Sequence, residues 1–152
     1  MDTSPTREPG TWDGTCGFRL MPDDELTVLP SRAVTAVEAD GWGWSLRYTW
    51  THPDDGEQSG TLLLASPDDE ATLTAAWLDS WHQKPDLRLL TGTAADGVAH
   101  LEMEYDGWGW TIEVRPDGDE LRLAMHNVVP SGVAGVAGGP YLVMDAHWQR
   151  TR

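Results

Sequence analysis

The amino-acid sequence predicts an all-β domain, a single antiparallel up-and-down barrel of about ten strands, from three observations. Apolar and polar residues alternate with a period of two through most of the chain. Asp-Gly pairs, which favour tight hairpin turns, separate many of the alternating segments. No segment shows the apolar period of a crossover helix, so consecutive strands are expected to pair with each other.

The clearest strand runs from residue 42 to residue 51. Its large apolar residues share one face, which holds Trp42, Trp44, Leu46, Tyr48 and Trp50, and polar residues share the other. Such alternation indicates a strand with one buried face. The same pattern predicts six further strands, whose inward-facing residues are Trp12, Cys16, Phe18 and Leu20; Leu73, Ala75, Trp77, Asp79 and Trp81; Leu101, Met103 and Tyr105; Trp108, Trp110, Ile112 and Val114; Leu121, Leu123, Met125 and Asn127; and Leu142, Met144, Ala146 and Trp148.

Weaker alternation predicts strands near 31–39, 60–65 and 87–94, which brings the total to about ten. Segment 67–78 is the one candidate for a helix, but its Thr-rich alternation favours a strand. The hairpin signals are Asp40-Gly41, Asp55-Gly56, Asp96-Gly97, Asp106-Gly107 and Asp117-Gly118. Because closure leaves no unpaired edge strand, a barrel is favoured over an open sandwich.

The 152 residues fit one domain with its own core. Residues 1–9 are polar and include Pro5 and Pro9, so we expect a flexible tail followed by a single barrel domain over 10–152. Segment 130–140 is rich in glycine but has neither a lysine nor a following helix. We therefore interpret it as a flexible loop that can serve as a lid over the barrel mouth.

A motif occurs twice, as Asp40 to Leu46 (DGWGWSL) and as Asp106 to Ile112 (DGWGWTI). Two explanations remain open: half of the barrel was duplicated, or the same hairpin sequence arose twice independently. In both copies we expect the tryptophans to point inward and the glycines to leave the outer face bare.

The charge balance limits the classes of partner. Ten basic residues against 25 acidic ones give a net charge of −15, and the basic residues are spread singly. We therefore expect neither nucleic acid nor a membrane surface as a partner. No apolar run approaches the roughly 18 residues of a membrane span, and the N-terminus lacks the apolar segment of a signal peptide. The single cysteine, Cys16, excludes an internal disulfide, so we expect a cytoplasmic protein. We expect it to be a monomer or a homodimer.

Three features carry a resemblance to a known group. Gly10-Thr11-Trp12 opens the first predicted strand, Asp79-Ser80-Trp81-His82 lies mid-chain, and Arg150 stands on the last strand. With these residues the chain resembles the calycins (lipocalins, fatty-acid-binding proteins and nitrobindins), and most closely the lipocalin-like bacterial proteins of unknown function. The resemblance spans residues 10–150. It implies a small barrel that binds a small molecule, with Trp12 at a closed end and the Arg150 guanidinium packed across its ring.

Nine tryptophans suggest what the barrel holds. Each can bury roughly 150–250 Å², so a lumen that contains them is either a packed aromatic core or a pocket for a flat ligand. About ten strands leave more interior space than eight, which favours a pocket for a hydrophobic small molecule. The ligand-binding residues that we predict are Trp44, Tyr48, Trp77, Asp79, Trp81, Trp110, Met125 and Asn127.

An enzyme on the same barrel is the alternative, for example a cofactor-free cyclase or isomerase of a hydrophobic intermediate. Asp79 interrupts an apolar face, and an unpartnered buried carboxylate is costly, so this residue is a candidate general base or ligand anchor. Its other possible environments are solvent at the barrel mouth or an ion pair with Arg88 or Arg150. His82 is the second catalytic candidate, because a one-residue bulge could turn it into the pocket.

A second alternative, implied by the resemblance, is a nitrobindin-like haem binder. His126 and His147 alternate with inward-facing residues and are therefore expected to face solvent, which argues against haem. The five histidines also lack the spacings of common metal-binding motifs. We therefore expect neither a cofactor nor a metal.

Overall fold

The computed structural model describes residues 8–65 and 72–152, and this part of the chain forms one closed antiparallel barrel. Each strand pairs with its sequence neighbours, and β1 pairs with β10 to close the barrel. The prediction of an all-β up-and-down barrel is therefore confirmed. The ten strands are β1 (Gly10–Phe18), β2 (Thr27–Glu38), β3 (Gly43–His52), β4 (Gly56–Ala65), β5 (Thr72–Asp79), β6 (Gln83–Ala95), β7 (Val98–Tyr105), β8 (Trp108–Asp117), β9 (Glu120–Val129) and β10 (Gly139–Arg150).

The barrel has two ends of different character. We call the first the Trp12 end, because β1 begins and β10 ends there, and it also carries the turns at 96–97 and 118–119. We call the other the open end. It carries the longer connections 19–26 and 130–138 and the turns at 53–55, 80–82 and 106–107.

Most of the residues that the alternation predicts to face inward lie in the core. Six tryptophans are less than a tenth exposed, namely Trp12, Trp44, Trp50, Trp77, Trp110 and Trp148. They pack with leucine, isoleucine, valine and methionine side chains in one cluster along the lumen. Burial also raises the pKa of Cys16 to about 12, so its thiol remains protonated at neutral pH.

Several residues predicted to face inward lie elsewhere. Trp42 is 58% exposed and Leu20 is 55% exposed, because β3 begins only at Gly43 and β1 already ends at Phe18, which leaves both residues outside the observed strands. Trp42 follows a short 3-10 turn over Ala39–Gly41, in which the left-handed backbone of Asp40 (φ 59°) breaks the alternation. Trp81 and Trp108 are only partly buried.

The two copies of the repeated motif adopt different structures. In the second, Asp106 and Gly107 have φ values of 49° and 82° and form a two-residue hairpin turn. In the first, the 3-10 turn replaces the hairpin and leaves Trp42 on the surface. The expectation that both tryptophans of each copy point inward is therefore wrong for Trp42.

Two predictions fall partly outside the described residues. The strand predicted over 67–78 is confirmed from Thr72 onward as β5, and 67–71 are not among the described residues. Of the predicted tail, only residues 8 and 9 are described. The Glu8 carbonyl accepts a hydrogen bond from Thr35, and the Pro9 carbonyl accepts one from Arg150. Across 8–65 and 72–152, no helix has the length and apolarity needed to cross a membrane.

The Trp12 end is closed by a cation–π contact. Trp12 and Arg150 are direct cross-strand neighbours, and the Arg150 Cζ atom lies 4.3 Å from the centre of the Trp12 ring. The Trp12 indole donates to Thr35 Oγ1 at 3.1 Å. A Cβ at Gly10 would overlap the guanidinium, so a side chain there would displace Arg150 from its position over Trp12. The packing of Arg150 across Trp12 that the resemblance implied is thus observed.

We predict that Arg150→Met destabilises the barrel by about 1–2 kcal/mol, because it removes the cation–π contact and the hydrogen bond to the Pro9 carbonyl. Urea-induced unfolding followed by circular dichroism measures the change. Arg152→Met is the matched control, since that side chain is 90% exposed and reaches only Asp119. We expect the control to change stability by less than about 0.5 kcal/mol. Equal effects of the two variants would contradict the role assigned to Arg150.

Candidate functional site

A cavity of about 220 Å³ lies at the open end of the barrel. It is lined by side chains from β5 to β10 and by residues of two connections. Five of its lining residues are predicted site residues, namely Trp77, Trp81, His82, Trp110 and Asn127. The sequence thus identifies about half of the lining.

The other predicted site residues do not line this cavity. Trp44 is the second residue of β3 and lies towards the Trp12 end. Met125 is fully buried in the core beside Ile112 and Met144. Tyr48 and Asp79 lie behind the cavity wall, where they contact each other.

Asp79 is fully buried and accepts four hydrogen bonds. Its Oδ1 accepts from the backbone N–H groups of Trp81 and His82, both at 2.9 Å. Its Oδ2 accepts from the Tyr48 hydroxyl at 2.7 Å and from the Trp50 indole at 3.2 Å. A carboxylate offers about four lone-pair sites, so these donors use its whole accepting capacity. Asp79 is therefore neither solvated nor paired with Arg88 or Arg150, the two other environments that the sequence left open.

Glycine at position 60 makes this network possible. Tyr48, Gly60 and Asp79 stand opposite one another on β3, β4 and β5. A Cβ at Gly60 would collide with the Tyr48 phenol, so the absence of a side chain lets that ring reach Asp79. Burial and the Asp79 charge raise the pKa of Tyr48 well above its usual value, which keeps the hydroxyl protonated as a donor. The same hydroxyl accepts from the Trp77 indole at 3.0 Å.

Stacked aromatic rings form the cavity wall and the layer beneath it. The rings of Trp77 and Trp110 are stacked with centroids 5.5 Å apart. His82 stacks on Trp50 at 5.0 Å, and Trp81 stacks on His52 at 4.8 Å. The Trp81 indole also donates to Asp55 Oδ2, which ties it to the turn at 53–55. These contacts hold the aromatic planes in fixed orientations.

A register irregularity between β5 and β6, of the kind expected from the sequence, turns His82 into the cavity. The register between β5 and β6 shifts after Trp77, and the turn at 80–82 is held by Asp79. Burial lowers the pKa of His82 to about 4, with the His52 charge acting in the same direction and the Asp79 charge opposing it. The imidazole is therefore neutral at pH 7. Its Nε2 lies 2.8 Å from Met144 Sδ, and because that sulfur can only accept, Nδ1 is the acceptor nitrogen.

A chain of hydrogen bonds forms the polar side of the cavity. The Tyr105 hydroxyl donates to Asn127 Oδ1 at 2.5 Å, and Asn127 Nδ2 donates to the Tyr141 hydroxyl at 3.2 Å. That hydroxyl donates to the Leu20 carbonyl at 2.9 Å, which links β10 to connection 19–26. Partial burial and the neighbouring Tyr141 raise the pKa of Tyr105, so the Tyr105 hydroxyl stays protonated as a donor.

Sequence reasoning did not assign the remaining lining residues to the site. Met103 and Tyr105 were predicted to face inward but not to bind. The alternation along the last strand predicts that Tyr141 and Val143 face outward. A register shift between Leu142 and Met144 brings both to the cavity instead. The lining residues outside the predicted site are Leu20, Gln83, Met103, Tyr105, Tyr141 and Val143.

The histidines considered for haem do not line the cavity. His147 is exposed and lies 3.1 Å from Asp145. His126 lies on the outer wall, where partial burial lowers its pKa. In the described part of the chain, no three His, Cys, Asp or Glu residues are grouped so that they could hold a metal ion.

A larger groove, of about 530 Å³, lies on the outer wall across β8, β9, β10 and β1. Here the register places Arg115, Arg122 and His147 in one cross-strand row, although they are separated in the sequence. Glu113 pairs with Arg115 at 3.0 Å, and Asp145 pairs with Arg122 at 2.9 Å. Because acidic partners neutralise these cations, the cavity at the open end remains the candidate functional site.

The lowered pKa of His82 predicts how stability changes with pH. The unfolded chain binds a proton on this residue below about pH 6.5, whereas the folded protein does so only near pH 4. Folding is therefore destabilised as the pH falls through this window, by about 2 kcal/mol between pH 7.5 and pH 5. Urea unfolding at these two values measures the loss.

The pKa of His126 is also lowered, so this residue contributes to the pH dependence of wild-type stability as well. The variant His82→Gln isolates the contribution of His82. We expect this variant to lose most of the pH dependence, and the exposed control His147→Gln to keep it. If the free energy of unfolding of His82→Gln depended on pH as strongly as that of the wild type, His82 would not be a buried, neutral imidazole.

No protein-family model matches this sequence, and no curated protein matches it either. The site is therefore described by its geometry alone. Over the described residues the barrel is closed and has ten strands, and an aromatic cavity lies at its open end. Behind the cavity wall lies the buried Asp79 carboxylate, whose four acceptor positions are all occupied.

Proposed function

We propose that this protein binds a small, flat, uncharged aromatic molecule at the open end of its barrel. The observation that carries the proposal is the cavity itself, about 220 Å³ in volume and walled by the stacked rings of Trp77 and Trp110. Flat apolar ligands gain most from such walls, because offset stacking adds to the burial of their surface.

The volume limits the size of the ligand. An apolar protein cavity of about 150 Å³ accommodates benzene, so 220 Å³ suits a molecule of about two fused rings. Pockets for drug-sized ligands have volumes of roughly 300 Å³ or more, and haem needs a larger pocket still. The size of the cavity thus favours a small aromatic ligand over the nitrobindin-like alternative.

The electrostatics favour a neutral ligand. No lining side chain carries a full charge at pH 7, because His82 is neutral and the remaining residues are apolar or uncharged polar groups. The net charge of −15 disfavours an anion. A cation would find no free carboxylate in the wall, since Asp79 lies behind it with both oxygens occupied.

Binding is better supported than catalysis. All four acceptor positions of Asp79 are used by the protein's own donors, so proton abstraction would require breaking one of these bonds. His82, with a pKa of about 4, is a weak base at neutral pH. Neither catalytic candidate of the cyclase or isomerase alternative is therefore poised to move a proton.

The resemblance to the calycins agrees with this proposal. Small calycin barrels bind hydrophobic molecules, and the Trp12–Arg150 contact and the closed barrel are the features they would share with this chain. We infer a calycin-like binding protein of the cytoplasm whose partner is a hydrophobic small molecule.

Equilibrium dialysis with naphthalene, quinoline and isoquinoline tests the proposal. We expect saturable binding of at least one of these bicyclic compounds at one site per chain. Met103→Trp should weaken that binding at least tenfold, because the larger side chain fills the cavity. Met21→Trp adds the same bulk at a 44% exposed position outside the lining and should bind like the wild type.

The proposal fails if none of the three compounds saturates the wild-type protein. It also fails if the two Met→Trp variants bind equally well, because the ligand would then occupy another place. Thermal unfolding of both variants checks that each remains folded at the temperature of the assay.

A further inference from the structure

The tryptophan indoles differ in whether their N–H groups have acceptors. Five of them donate within the protein, those of Trp12, Trp50, Trp77, Trp81 and Trp148. Among the described residues, the buried indole nitrogens of Trp44 and Trp110 have no acceptor. Buried polar groups in proteins are nearly always hydrogen-bonded, so each exception requires an explanation.

The two exceptions lie in different places. Trp110 lines the cavity at the open end, and its side chain is only 6% exposed. Trp44 lies towards the Trp12 end and does not line the cavity. Neither nitrogen is accessible to solvent, but the Trp110 ring lines the cavity, so a bound molecule that shifts this ring can offer an acceptor to its N–H. Trp44 has no such neighbouring cavity and serves as an internal reference.

A second donor stands beside Trp110. Asn127 is its direct cross-strand neighbour between β8 and β9, and such neighbours have Cβ atoms about 5 Å apart. The Asn127 amide has two N–H bonds, and one of them is used by the Tyr141 hydroxyl. This side of the cavity is thus supplied with donors, while the acceptor of Asn127 is occupied by Tyr105.

We propose that the ligand carries an uncharged hydrogen-bond acceptor that receives the Trp110 indole N–H. This inference rests on the proposed function and narrows it, from flat aromatic molecules in general to aromatic carbonyl compounds and nitrogen heterocycles. A carbonyl oxygen has a second lone pair that suits the free N–H of Asn127. A plain aromatic hydrocarbon fills the same space but leaves the indole N–H without an acceptor.

The test compares molecules of equal shape. Quinoline and isoquinoline each replace one ring C–H of naphthalene by an acceptor nitrogen, at different positions. We expect at least one of them to bind the wild-type protein five- to tenfold more tightly than naphthalene, the typical effect of one net hydrogen bond. Trp110→Phe should abolish this preference while keeping an aromatic ring, and the matched variant Trp44→Phe should retain it.

A spectroscopic measurement on the wild type keeps the test independent of the variants' folding. In ¹⁵N–¹H correlation spectra, the preferred heterocycle should move the Trp110 indole N–H resonance downfield, because it forms a hydrogen bond. Naphthalene should not produce the downfield shift. The Trp44 indole resonance should remain in place with both compounds.

The outcomes separate this inference from the proposed function. If naphthalene and both heterocycles bind equally well, binding stands and the inference is overturned, with an ordered water as the acceptor for Trp110. If none of the three binds, both fail. Tighter binding of a heterocycle that persists in Trp110→Phe would also overturn the inference, since the acceptor would then contact another donor.

Discussion

The buried carboxylate of Asp79 is the interaction on which the open end depends. Burying a carboxylate is costly unless donors replace the water that it loses, and here two backbone and two side-chain donors do so. Charge-assisted hydrogen bonds of this kind are stronger than neutral ones and fix their donors closely. Asp79 thereby joins β3, β5 and the turn at 80–82. Through the Tyr48 hydroxyl it also orients the Trp77 indole and thus one wall of the cavity.

The two ends of the barrel differ in how regularly their strands pair. At the Trp12 end, a regular register and the Arg150 guanidinium close the lumen. At the open end, register shifts after Trp77 and between Leu142 and Met144 interrupt the regular packing. Bulges re-aim side chains at the rims of barrels, and these two bring His82 and Val143 to the cavity wall. The cavity thus arises where the sheet departs from ideal pairing.

Alternation in the sequence predicts the face of a residue but not its height in the barrel. Trp44 and Trp110 both point inward and occupy the same place in the repeated motif. Yet the strands that carry them run in opposite directions, so one lies towards the Trp12 end and the other in the cavity. The strand count, the closure and the inward tryptophans therefore follow from the sequence. The bulge at Leu142–Met144, the surface position of Trp42 and the saturation of Asp79 depend on register and on Gly60, which local periodicity does not specify.

Amide hydrogen exchange at Trp81 and His82 tests the role of Asp79 most directly. Both amides belong to a turn at the barrel rim, where exchange is ordinarily fast. Because each donates to the buried Asp79 carboxylate, we predict that they exchange as slowly as amides in the neighbouring strands. The amides of the Asp96-Gly97 turn provide the comparison within the same protein. Exchange of Trp81 and His82 at the rate of that turn would contradict the account.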